Sequence, residues 1–201
     1  MKYVIFGSGG VAQELVDFLQ QDQHEITAVV SKTPFNDERY NNLNIIGKIS
    51  VGEFPDSRFL LAVGEIKYKK LIVQENEDRW DTYVHRNAFV SKYATIGRGS
   101  LLYPFSCVLG KSKIGKFTTL NVHCSVPHDN ITGDYCTFSP YSAIMGHCNI
   151  GDECFFGVSS YCIPKVTLPA FTKVSAGAIV RKSINEPTIL YGDPAAPRQA
   201  R

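Results

Sequence analysis

From residue 96 onward the chain places an apolar residue at every sixth position. The series runs Ile96, Leu102, Val108, Ile114, Leu120, Val126, Thr132, Phe138, Ile144, Ile150, Phe156, Cys162, Leu168 and Val174, and only Thr132 breaks it. Two residues before each stands Ala94, Ser100, Ser106, Ser112, Thr118, Cys124, Asn130, Cys136, Ser142, Cys148, Cys154, Ser160, Val166 or Thr172, nearly all of them small. Side chains two apart on a strand share a face, so both series are expected to point inward. Gly97, Gly115, Gly133 and Gly151 each follow the apolar residue at intervals of eighteen. Three short strands therefore make one coil, and coils stacked about 4.8 Å apart make a parallel β-helix of triangular section. The break at Thr132 follows His128 and Asp129 in VPHDNITGDYCTF. It reads either as strain beside a functional corner or as a tolerated valine-like replacement.

The N-terminal part, residues 1–84, keeps a different rhythm, which sets the expected boundary with residues 85–201. YVIF, ITAVV and FLLAV read as strands, and VAQELVDFLQ and EIKYKKLIVQEN as helices, an order that suits a β-α-β unit on a parallel sheet. The turn Gly7-Ser8-Gly9-Gly10-Val11-Ala12 fits G-x-G-x-x-A, a pattern that holds phosphates at a helix N-terminus. The acidic residue such a fold places after its second strand is missing, because ITAVV runs into Ser31 and Lys32. Either the turn binds one nucleotide or diphosphate, or its glycines serve only a tight strand-to-helix connection. Gly64 and the lysines Lys67, Lys69 and Lys70 fall near the expected carboxyl edge of the sheet, where open α/β sheets take ligands; the lysines also suit a solvated helix face.

Charge narrows the function classes. With 21 basic and 19 acidic residues the net charge is +2, and no run of like charge suits nucleic acid or an anionic membrane. No apolar stretch reaches membrane-spanning length, and MKYVIFGSGG breaks at glycine too early for a secretory signal, so a cytoplasmic protein is expected. The six cysteines form no C-x-x-C pair. Cys124, Cys136, Cys148 and Cys154 fall on the small inward series and Cys162 on the large one. Cys136 and Cys154 should stack one coil apart, near enough for a bridge that a reducing compartment disfavours.

The coil repeat aligns Gly110, His128, Gly146 and Pro164 in one column, with His147 in the column of Asp129. His123 belongs to another corner, so His123, His128 and His147 are not expected to converge, and no metal is expected. His147 could be the partner that Asp129 serves.

The uninterrupted hexads resemble those of the hexapeptide-repeat acyltransferases with a left-handed β-helix. The handedness comes from that resemblance alone, since the ordinary crossover rule favours the other hand. Together with GSGGVA, HDN and GDPAA, the two halves resemble bacterial sugar acetyltransferases in which a small α/β Rossmann-like domain precedes the β-helix. These are the nucleotide-linked amino-sugar N-acetyltransferases and the sialic acid O-acetyltransferase relatives. The resemblance implies an acetyl-CoA-dependent transfer by direct attack, with His128 as general base, Asp129 as its acidic partner and the Gly146 amide as oxyanion donor. It also implies a homotrimer with acetyl-CoA in grooves between neighbouring β-helices, along Gly157 and Val158 and then Ala176 and Gly177, with Arg181 and Lys182 available to phosphate. The acceptor, a nucleotide-linked amino sugar, falls to the N-terminal half: Gly7, Ser8, Gly9, Gly10, Val11, Ser31, Lys32, Gly64 and Lys67, with Asn121 near it. Val11 and Thr137 stand where many relatives carry histidine, and Asn130 where many carry cysteine. O-acetylation of a sugar and a non-catalytic β-helix module are the competing functions. The proline-rich tail GDPAAPRQAR is expected to cover the open end of the β-helix.

Overall fold

The computed structural model describes residues 1–33, 35, 37–49, 52–74, 79–194 and 196–197. It divides into two compact units, Met1–Asp81 and Thr82–Arg201.

In the first unit, β1 (Lys2–Phe6), β2 (Glu25–Val30), β3 (Ile45–Ile46) and β4 (Arg58–Leu61) form a sheet in the order β3-β2-β1-β4. Every pairing is parallel. Helix α1 (Gly10–Gln21) joins β1 to β2, and α2 (Ile66–Gln74) follows β4. The strands read from YVIF, ITAVV and FLLAV are present, as are both helices; Glu75 and Asn76 of the second helix pattern lie outside the described residues. Sequence reasoning missed β3, whose two residues are too few to show a period of two. Val4, Ile5, Leu15, Val16, Leu19, Val29, Phe59 and Leu60 are fully buried. Phe6, Phe59 and Trp80 pack ring to ring, the first two at 5.0 Å.

The second unit is a parallel β-helix whose rungs are two residues long. Its first face runs from Tyr83–Val84 through Leu101–Leu102, Thr119–Leu120, Thr137–Phe138 and Phe155–Phe156 to Lys173–Val174 and Ile189–Tyr191. The second face runs from Phe89–Val90 to Ile179–Val180, and the third from Thr95–Ile96 to Thr167–Leu168. The rungs pair with residues eighteen away, as Thr119 does with Leu101 and Thr137, except at the last step, where Lys173 pairs with Ile189. From Leu102 to Val174 the sixth-residue series is buried without exception, Thr132 included at 4% exposure.

The small inward residues do more than fit. The Ser100 hydroxyl accepts the Thr118 N–H at 3.1 Å and donates to the Gly115 carbonyl at 2.9 Å, one coil on. Thr118 repeats this with the Cys136 N–H and the Gly133 carbonyl. The cysteines donate in the same direction, Cys124 to the Ser139 carbonyl and Cys136 to that of Gly151. All six cysteines are free. Thr132 is likewise satisfied: its hydroxyl accepts the Gly115 N–H at 3.2 Å, which favours the tolerated replacement over strain.

The glycine beat has a steric cause. A Cβ on Gly115 would lie 2.1 Å from the Gly133 carbonyl oxygen, and one on Gly151 2.4 Å from the Ala170 nitrogen. Stacked coils approach too closely there for any side chain. A second column escaped the sequence reading. Residues 105, 111, 117 and onward by sixes to 171 all have φ between +53° and +67°, although none is glycine. Each such residue costs about 1–2 kcal/mol over the right-handed form. Most of their N–H groups recover part of that by bonding to the preceding coil, as Tyr135 does to Lys116. In the tail, Ala196–Pro197 runs antiparallel to Leu190 and Tyr191; Ala195 and residues 198–201 of the expected cover lie outside the described residues.

Candidate active site

His128 and Asp129 follow the Ser125–Val126 rung, at the corner between the second and third faces. Asp129 takes one of the left-handed positions, φ 59°, a conformation in which aspartate and asparagine are enriched. The carboxylate turns back on its neighbour, and Oδ2 lies 2.8 Å from His128 Nδ1. His147, at φ 62° one coil further, brings its Nε2 to 3.9 Å from the same oxygen. The two imidazoles stand edge to face, centroids 5.2 Å apart. One carboxylate is thus shared by two histidines. The His128 hydrogen bond, with the neighbouring His147 and Lys111, holds the Asp129 carboxyl below the usual carboxylate range. An ionised carboxylate only accepts, so His128 Nδ1 carries a proton, and in the neutral ring Nε2 holds the lone pair, facing away from Asp129.

Gly146 makes room for this ring. A Cβ there would lie 2.7 Å from His128 Cε1 and 3.0 Å from Nε2, whereas one on Gly110, in the same column, would meet only Ser91 Oγ at 3.9 Å. The Gly146 N–H has no hydrogen-bond acceptor among the described residues. The coil ladder does not use this register position, which is proline in Pro104, Pro140 and Pro164. Gly146 is buried as a residue, and its N–H is a donor that an acceptor from outside the chain can take.

The corner is pinned from within by Asn130, whose side chain is fully buried. Its Nδ2 donates to the Pro127 carbonyl at 2.8 Å, and its Oδ1 accepts the Cys148 N–H at 2.8 Å. The residue before His128 and the residue after His147 are therefore tied to one amide. The Ser112 hydroxyl also donates to the Pro127 carbonyl. Proline at 127 has no N–H for the ladder, and these two bonds hold the chain there instead.

The other expected site residues lie elsewhere on the β-helix. Asn121, Gly157, Val158, Ala176 and Gly177 sit at the corner between the first and second faces. The Gly177 N–H bonds to the Val158 carbonyl at 2.8 Å, and a Cβ on Gly157 would lie 2.4 Å from the Ala176 nitrogen. Asn121 Oδ1 accepts from the Val122 N–H at 2.7 Å. His123 is stacked between Phe105 and Tyr141 at 5.0 and 4.8 Å, apart from the other two histidines. Arg181 and Lys182 return to the His128 corner further along the coils. Arg181 is paired with Asp193 at 2.8 Å, and Lys182 is exposed.

In the first unit a cavity of about 440 Å³ opens beyond the carboxyl ends of β1 and β4. It is lined by Gly7–Val11, Ala62–Glu65 and Tyr68. Gly7 is conformationally required: its φ is +123° and a Cβ would lie 2.4 Å from the Ala62 carbonyl oxygen. Gly9 and Gly10 meet nothing within 4 Å, so the chain itself does not demand them. Helix α1 starts here without a side-chain cap or an acidic residue in its first turn. Ser8 Oγ lies 2.7 Å from Ser31 Oγ and 3.2 Å from Thr33 Oγ1. Lys67 is exposed, but Lys69 is buried at 2%, which removes it from any solvent-facing cluster. Glu65 and Tyr68 escaped the sequence reading, which weighed only glycines and cations at this edge.

No protein-family model matches the chain. It is 25% identical over 165 residues to GDP-perosamine N-acetyltransferase of Escherichia coli O157:H7, a match covering 77% of this chain and 75% of that one. The chain is similar to the hexapeptide-repeat β-helix sugar N-acetyltransferases. Among solved structures, a histidine-to-asparagine variant of perosamine N-acetyltransferase from Caulobacter crescentus, in complex with CoA and GDP-perosamine, superposes with a TM-score of 0.89 at 24% identity. That match covers 100% of this chain and 98% of the other. The acetyltransferase domain of PglB from Neisseria gonorrhoeae FA1090, in complex with acetyl coenzyme A, gives 0.87 at 21% identity, covering 98% of each.

Proposed function

We propose that the protein transfers an acetyl group from acetyl-CoA to the amine of a nucleotide-linked amino sugar, for surface glycan or polysaccharide synthesis. The observation that carries this reading is the His128 corner. An imidazole with a free Nε2, a carboxylate on its Nδ1 and an unpaired amide at Gly146 stand together on adjacent coils. The amine attacks the thioester carbonyl, forming the C–N bond. His128 Nε2 takes the proton shed by the nitrogen, and the Gly146 N–H holds the carbonyl oxygen as it becomes negative. When the C–S bond breaks, the proton held by His128 can pass to the departing thiolate. Asp129 keeps the ring in the required tautomer and supports the imidazolium.

In this reading the β-helix is left-handed, and Met1–Asp81 is a Rossmann-like acceptor domain. The nucleotide lies in the cavity over Gly7–Gly10, Val11 and Gly64, with its phosphates at the start of α1. Ser31, Lys32 and Lys67 set its specificity in place of an acidic residue, and Asn121 serves the sugar. Acetyl-CoA lies along Gly157, Val158, Ala176 and Gly177, with phosphate contacts from Lys182 and from Arg181 once it leaves Asp193. These donor residues divide between two corners that one prism points in different directions. A trimer resolves this by setting the His128 corner of one chain against the Gly157 corner of the next. Phe105, Tyr141 and Val158, exposed at 57%, 53% and 47%, line that second corner and gain cover there. Among the described residues no helix is long and apolar enough to cross a membrane; the proposed enzyme is cytoplasmic, where both substrates occur.

A panel of UDP-, dTDP- and GDP-linked amino sugars with acetyl-CoA, followed by release of free thiol, tests the reading. One nucleotide sugar should stand out in kcat/KM. Thiol release only with sugar hydroxyl acceptors would move O-acetylation ahead, and failure to bind acetyl-CoA would favour a non-catalytic module.

A further inference from the structure

We propose that His128, Asp129 and His147 bind a divalent transition-metal ion and that the bound ion shuts off the transfer. One ligand atom from each residue lies within 4.8 Å of the other two. A metal–ligand bond of about 2.0–2.2 Å sets two ligands of one ion roughly 3 Å apart when adjacent and roughly 4 Å apart when opposite. The observed spans from Asp129 Oδ2 are 2.8 Å to His128 Nδ1 and 3.9 Å to His147 Nε2. Small side-chain rotations therefore complete the set. The backbone beneath it is fixed, since the Asp129 and His147 N–H groups bond to the Gly110 and His128 carbonyls and Asn130 ties the two coils. The side chains are 60%, 36% and 53% exposed in chain order, so an ion can enter and keep water in its remaining positions. Two imidazoles with one carboxylate select Zn²⁺, Cu²⁺, Ni²⁺ or Co²⁺ over the oxygen-seeking Mg²⁺ and Ca²⁺.

Inhibition follows from the tautomer, and this half of the inference rests on the proposed role of His128. As a base, His128 needs its proton on Nδ1 and its lone pair on Nε2. A metal on Nδ1 requires the opposite arrangement: the ring proton moves to Nε2 and no lone pair is left for the amine. Nothing is oxidised or reduced, and removal of the ion restores the base.

The whole protein titrated with Co²⁺ tests the site without any assay of transfer. One ion per chain is expected, with a visible spectrum free of thiolate-to-metal charge transfer, which separates this site from the six cysteines. His147→Ala and Asp129→Asn should each weaken binding by about tenfold or more. Unchanged affinity in both variants, or a thiolate spectrum, overturns the site. In turnover assays Zn²⁺ should abolish transfer, EDTA should restore it, and His147→Ala should need about ten times more Zn²⁺ for the same effect. Full turnover with the site saturated overturns the switch. Absence of transfer even in metal-free protein would count against the proposed reaction and leave the binding result standing.

Discussion

At the corner between the first and second faces the left-handed positions are Phe105, His123, Tyr141, Ser159 and Gly177; between the second and third they are Lys111, Asp129, His147 and Lys165. The backbone is alike at both, down to the N–H that Phe105, His123, Tyr141, Ser159 and Gly177 at one, and Asp129, His147 and Lys165 at the other, give to the coil before them. One corner stacks rings, with His123 packed flat between Phe105 and Tyr141. The other stacks charge, with one carboxylate between two imidazoles. The coil thus supplies a repeated, rigid mount, and the residue placed on it decides whether the corner packs or reacts. Histidine alone is no guide, because both corners carry one.

Removing each histidine in turn is the largest test of that contrast. His128→Ala should lower kcat by at least about 10²-fold with acetyl-CoA binding nearly unchanged, the loss expected when a general base is removed. His123→Ala should leave kcat within about twofold and cost about 0.5–1.5 kcal/mol of stability through lost ring stacking. Equal losses of turnover at both corners would erase the distinction. Gly146→Ala sharpens it, since the added methyl would land 2.7 Å from His128 Cε1 and must displace the ring. A fall in kcat of about 10²-fold is expected, matching loss of the base. Gly110→Ala, in the same column but with open space beside it, should change neither turnover nor stability measurably.

How far these corners were legible in the sequence depends on the residue. The sixth-residue series and the glycine beat report steric demands that recur in every coil, so they reveal the β-helix, its register and the stacking of Gly146 on His128. The left-handed column was invisible because many residue types occupy it: Lys111, Phe117, Asp129 and Ser159 share one φ without sharing chemistry. Asn130 was read as a small inward residue, and its two hydrogen bonds depend on carbonyl and amide directions that spacing does not encode. Arg181 was read as available to phosphate; Asp193, twelve residues on, pairs with it across an irregular turn. His147 was left open as a partner of Asp129, and the shared carboxylate explains why the column alone could not choose between the two histidines.

Asn130 offers a test in which stability should respond more than chemistry. Asn130→Ala strips the buried Cys148 N–H of its acceptor and the half-buried Pro127 carbonyl of one of two donors. A loss of about 1–3 kcal/mol in denaturant unfolding is expected. Asn130→Ser should recover part of it, because serine serves the same position in Ser100 and Ser112.

The smallest expected effect concerns pH and separates an orienting carboxylate from a second base. Asp129→Asn preserves the shape and the tolerance for a left-handed backbone, so the fold and Tm should hold. It removes the anion, and the amide can meet His128 Nδ1 through either its oxygen or its NH₂ group, so the ring tautomer is no longer enforced. A fall in kcat of about tenfold is expected, a fraction of what the base itself contributes. The pH dependence follows from the carboxylate. In the parent, Asp129 is held below the usual carboxylate range by the His128 hydrogen bond and by His147 and Lys111. It therefore stays ionised across mildly acidic pH, and the ratio of parent to variant kcat/KM should hold steady there. The anion is lost only as pH falls through its lowered value, where the two activities should converge. A ratio that already narrows at mildly acidic pH would show that Asp129 does not orient His128 as an anion. Loss of all turnover in the variant would show that Asp129 was itself the base, and the reactive corner would then centre on the carboxylate that both histidines share.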